Sequence, residues 1–230
     1  MIIKPYLCSW SFDKQGSIYS KESFSNLEKD YVKDLIDRRL DFLLEVLEIL
    51  YDEQILLVDN VNLRIFEVEY HYAVTSSELS VFTQRIKTEI KQAFTKNKMP
   101  FSCVLRGRTI IKNKTEEKEY KGLIDLSYSL LRNGFELNNH SDVWTPMDLN
   151  DNYQIDMAIQ NGPRLERSLA RIKALANYSF ICPDEGEYGD EELPQLGFRV
   201  LTYQGDITEL DDFPKERKEE VTRFIGRYIV

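Results

Sequence analysis

Cysteine and histidine are scarce in this chain. Cys8, Cys103 and Cys182 stand far apart without paired metal-ligand spacing, and His71 and His140 are the only histidines. An odd, sparse cysteine set gives no disulfide framework, and two distant histidines give no two-histidine zinc signature. Long apolar runs are missing too: no stretch approaches the roughly 18 residues expected of a bilayer span. The N-terminal MIIKPYLCSW lacks the charged-then-apolar order of a secretory signal. The expectation is a cytoplasmic protein with no membrane insertion. Glycine-rich phosphate cradles, serine-elbow motifs, internal repeats and low-complexity tracts are likewise absent, so no cofactor and no specific enzyme class is indicated.

The 230 residues are 42% hydrophobic and 30% charged, an ordinary globular composition. A chain of this length buries roughly 70–75% of the surface it exposes when unfolded, enough for one sizeable core. One globular domain over 1–230 is expected, with thirteen tyrosines and twelve phenylalanines to fill it. The formal charge of −9 disfavours attraction to nucleic-acid phosphates or anionic membranes. It is unevenly spread: segments 1–60, 61–120, 121–180 and 181–230 carry −5, +4, −1 and −7.

Periodicity predicts an alternation of helices and strands. Residues 2–9 read as a short edge strand limited by Pro5. From Asn26 to Leu50, apolar residues return every three or four positions, as in an amphipathic helix. QILLVDN and NLRIFEVEYHY read as neighbouring strands turning at Asp59-Asn60, and Ser77–Lys96 reads as a second helix. FSCVLRG and TIIKN suggest a hairpin around Gly107. EEKEYKGLIDLSYSLLRNG reads as a helix stopped by Gly134, and NGPRLERSLARIKALA as another, with Pro163 in its first turn. YSFICP and GFRVLTY read as strands on either side of an acidic connecting loop, 183–194, and the segment from Asp211 onward as a last helix. The predicted class is α+β: a single layered domain with an antiparallel or mixed sheet and several packed amphipathic helices.

Chemistry is concentrated in a few places. Glu67, Glu69 and His71 recur at strand spacing and leave one face together, a set able to hold a divalent ion or to orient His71 as a base. The same pattern also describes an ordinary wet strand face. With Arg106 or Arg108 as charge stabiliser, this set is the alternative, enzymatic reading. A metal-dependent nuclease pattern is incomplete: Asp59 precedes Glu67-Val68-Glu69, but Glu69 stands where a lysine is required. A true Glu-x-Lys, Glu119-Tyr120-Lys121, reads as helical. Arg164, Arg167 and Arg171 recur at helical intervals, either for an anionic ligand or to solvate a helix face.

The acidic stretch PDEGEYGDEELP carries Asp184, Glu185, Glu187, Asp190, Glu191 and Glu192 with Tyr188 among them and no positive charge. It is either a solvated loop or a surface that attracts a basic protein and speeds encounter. Calcium-loop spacing is missing, which weighs against a metal site there. Trp144 is a candidate partner contact, or an aromatic packed beneath a loop, and His140 lies four residues before it. The favoured expectation is a protein-binding module, of the kind an immunity protein exemplifies, that inhibits a basic protein partner through an acidic surface. No catalytic residue and no metal ligand is favoured.

Overall fold

Alternation of apolar and polar side chains along seven segments builds one antiparallel sheet. In this computed structural model residues 3–13, 27–65, 68–73, 101–144 and 154–181 are described, with isolated positions at 81, 84 and 88. The strands are β1 (Ile3–Asp13), β2 (Leu57–Ile65), β3 (Val68–Ala73), β4 (Phe101–Lys112), β5 (Glu117–Ser129), β6 (Gly134–Ser141) and β7 (Asn177–Ile181). Their order is β3-β2-β4-β5-β6-β1-β7, with every pairing antiparallel. Two helices are described, α1 (Lys29–Asp52) and α2 (Ile155–Leu175). Helices set against one face of an antiparallel sheet make an α+β architecture. Neither is long and apolar enough to cross a membrane.

The core lies between the helices and one sheet face. Trp10, Phe12, Val61, Leu63, Cys103, Leu105, Leu126, Tyr128, Phe135 and Leu137 are buried there with Ile36, Leu40, Leu43 and Leu47 of α1 and Leu165, Leu169 and Ile172 of α2. Each such side chain contributes roughly 1.5–3 kcal/mol by leaving water. The intervening strand positions are polar: Asn62, Arg64, Ser102, Arg106, Asp125, Ser127, Glu136 and Asn138 share the opposite face by register.

Several sequence expectations need correction. Residues 117–129 form strand β5, not a helix. Leu123, Ile124, Leu126, Tyr128 and Leu130 are all buried, and this apolar run satisfies a sheet face as readily as a helical stripe. The left-handed residue before β6 is Asn133 (φ 52°), while Gly134 pairs with Ser129. Asp59-Asn60 is no turn, because β2 continues through it, with a register irregularity between Val58 and Asn60, and it is Ile65 and Val68 that are the end partners of β2 and β3. Gly107 is no hairpin turn either. It lies within β4, where the Leu57 carbonyl sits against the place a Cβ would take, so only glycine permits this close strand approach.

β1 is an inner strand between β6 and β7, with its register irregular between Ile3 and Cys8, around Pro5. The second helix starts at Ile155, which puts Pro163 in its interior. Of the expected several helices, two stand among the described residues. Positions 81, 84 and 88 are helical. The remainder of the Ser77–Lys96 helix, the connection after Trp144, the acidic loop 183–194, the GFRVLTY strand and the last helix fall outside the described residues.

Candidate functional site

Among the described residues, the polar sheet face carries a cluster of ionisable groups joined across β4, β5 and β6 by side-chain hydrogen bonds and an ion pair. Register aligns Arg106, Asp125 and Asn138 on neighbouring strands, and His140 follows two residues along β6. Asp125 Oδ1 accepts from Asn138 Nδ2 at 2.7 Å, and Oδ2 lies 3.1 Å from His140 Nε2 and 3.9 Å from Arg106 Nε. Burial of the Asp125 carboxyl would raise its pKa, but the hydrogen bonds from His140 and Asn138 and the charges of His140 and Arg106 outweigh that and hold it below the ordinary carboxylate value. An ionised carboxylate only accepts, so the His140 proton facing it is on Nε2. Asn138 Nδ2 also donates to Ser127 Oγ at 3.3 Å. Beside Ser127 a depression of about 250 Å³ opens, lined by Ser102, Ser127, Ser129, Arg132, Gly134 and Glu136 among others.

A second ionic group joins β2, β4 and β5. Arg108 Nη1 donates to Glu119 Oε2 at 2.7 Å, and its Nε lies 3.8 Å from Asp59 Oδ2. Glu119-Tyr120-Lys121 is therefore on a strand, in contrast to the helical reading of the sequence, and Lys121 is the register partner of Arg108. The nuclease pattern nevertheless stays incomplete. β4 separates Asp59 from Glu119, and the Arg108 guanidinium sits between the two carboxylates where a cation-binding pair would need open space.

The Glu67, Glu69 and His71 set is only partly described. Glu67 lies outside the described residues, and Glu69 is placed by register opposite Arg64. His71 is exposed, and its Nδ1 proton is donated to Asn62 Oδ1 at 2.7 Å. Among the described residues no group of three or more His, Cys, Asp or Glu side chains is arranged to hold a metal ion. Burial raises the Cys103 thiol pKa well above the ordinary range, which leaves it an inert core residue.

The arginine series divides: Arg167 and Arg171 are exposed, as a solvated helix face expects, whereas Arg164 is not. Arg164 is buried; it donates through Nε to the Glu53 carbonyl at 2.9 Å, and through Nη1 to the Ile110 carbonyl and Asn161 Oδ1 at 2.7 and 2.8 Å. Arg167 donates through Nε and Nη2 to the two Glu53 carboxylate oxygens at 3.0 and 2.8 Å, and Arg171 Nη2 donates to Asp52 Oδ2 at 2.9 Å. One edge of α2 thus supplies cations to the C-terminal end of α1, whose last turn has no basic residue of its own. The Arg167 hydrogen bond is the main reason the Glu53 pKa is lowered, against the opposing effect of burial.

Trp144 is 2% exposed, and its indole Nε1 donates to Asn139 Oδ1 at 2.9 Å, an arrangement that matches the packed alternative for this residue. Asp184, Glu185, Glu187, Tyr188, Asp190, Glu191 and Glu192 all lie outside the described residues. A described acidic surface exists elsewhere, on the outer side of α1. Asp34, Asp41, Glu45 and Glu48 are exposed and recur at helical intervals, with half-buried Asp37 among them. Tyr31 and Tyr51, 44% and 45% exposed, stand near the two ends of this stripe. The basic residues near its start are engaged locally: Lys33 pairs with Asp30 at 3.0 Å, and Arg38 Nε donates to the Asp34 carbonyl at 3.3 Å.

The amphipathic periodicity from Asn26 to Leu50 implies a polar side, and these acids fall on it. Their continuity is visible once the apolar stripe fixes which side faces out. The Asp125, Asn138 and His140 cluster was hidden because a helical reading of 116–134 breaks the strand register that brings it together. No family model, curated protein or solved structure matches the chain.

Proposed function

We propose that this chain is a cytoplasmic protein-binding module that recognises a basic protein through its acidic surface, acting as an immunity-type inhibitor by covering a cationic cleft. The observation that carries this reading is the outer stripe of α1. From Asp34 to Glu48 it extends for about 21 Å at 1.5 Å per residue, with carboxylates at every third or fourth position and a net charge of −9 behind it. A row of carboxylates on a rigid helix directs a field at a cationic partner and raises its encounter rate by about ten-fold or more at low salt. Tyr31 and Tyr51 add amphipathic contact area at either end, the residue type that supplies contact energy at protein interfaces. The stretch around Asp190, Glu191 and Glu192 adds six more carboxylates to the same electrostatic sign.

Affinity capture with the full chain, followed by binding kinetics at 50 and 300 mM salt, tests the reading. A specific basic partner is expected, with association slowed about ten-fold or more at the higher salt. Joint neutralisation of Asp41, Glu45 and Glu48 should slow association without unfolding the chain, and neutralisation of Asp190, Glu191 and Glu192 tests the second acidic segment separately. Unchanged kinetics in either set rejects that surface, and failure to recover any basic partner rejects the function.

A small-molecule enzyme is the second reading, and one observation favours it: Asp125 orients His140 with Arg106 alongside, and Ser127, two residues further along β5, lines a depression on the same face. His140 shares a sheet face with His71 by register, but lies on β6, with β5, β4 and β2 between it and β3. A ligand screen followed by calorimetry supports this reading if His140→Gln abolishes binding of a hit while Asn62→Ala, beside His71, does not. Equal binding by the His140 variant removes the enzymatic reading's support.

A further inference from the structure

We draw no further inference here: the strongest candidate, the serine-floored depression on the polar sheet face, is a hollow left by small side chains whose rim charges Arg132 and Glu136 pair with each other, and no second observation points to a ligand for it.

Discussion

Gln54 holds a position that favours glycine. It follows the last turn of α1 with φ 55°, donates its N–H to the Tyr51 carbonyl, and is followed by Ile55, whose N–H reaches the Leu50 carbonyl. These two bonds form a Schellman ending, in which a side chain in the left-handed region is strained by its Cβ. Gln54→Gly keeps both bonds and relieves the strain, so a gain of about 0.5–1 kcal/mol is expected in urea unfolding. A loss would mean that the glutamine side chain contributes contacts that outweigh its backbone strain. Gly107 presents the opposite case. Gly107→Ala drives a methyl group into the Leu57 carbonyl of the neighbouring strand, with an expected loss of about 2–3 kcal/mol. Thermal denaturation of the alanine variant measures it, and a loss below 0.5 kcal/mol would show that β2 moves aside freely. The sequence marks Gly107 as unusual, but not whether a turn or a close approach requires it. That depends on the partner strand.

At the scale of elements, α1 was legible because its apolar stripe runs unbroken for six turns and matches only a helix. The helical reading of 116–134 failed because Leu123, Ile124 and Leu126 with Tyr128 satisfy both periods over a short run. A correct strand there is what places Asp125 beside Asn138 and His140, so the error in the element concealed the cluster. The join between the helices was equally hidden, since Arg164 looks like a surface residue until α1 ends against it. Asn161 completes the join. Its side-chain amide accepts from the Lys112 N–H and donates to the Lys112 carbonyl at 2.9 and 2.8 Å, acting as a neighbouring strand for the end of β4. Arg164→Met leaves the Glu53 and Ile110 carbonyls without this donor and should destabilise by about 3 kcal/mol. Arg171→Met breaks an exposed pair and should change stability by less than about 0.5 kcal/mol. Chemical denaturation of both variants separates the two roles, and similar losses would contradict a buried join centred on Arg164.

At the scale of the whole molecule, two carboxylates among the described residues have lowered pKa and couple stability to acidity. Asp125 on the sheet and Glu53 at the helix join both titrate below their ordinary values of 3.8 and 4.5 in the folded chain. The folded state therefore binds protons less readily than the unfolded one. Their contribution is fully present above the unfolded values and is lost as pH falls through the lower folded values. Stability should consequently be level near neutrality and decline below about pH 4.5, the first of these ordinary values to be reached on acidification. Asp125→Asn isolates one of the two groups. It keeps the shape but removes the charge that accepts from His140 and Asn138, so a loss of about 2 kcal/mol is expected at pH 7. At pH 3 the carboxyl is below its ordinary value of 3.8 and so largely protonated in the unfolded chain, part of the ionic contribution is lost, and the two proteins should differ less. Urea unfolding of both chains at pH 7, 5 and 3 measures the gap. A narrowing gap on acidification supports ionic stabilisation of the sheet face, whereas a constant gap would assign the loss to packing and remove the charge of Asp125 from the account.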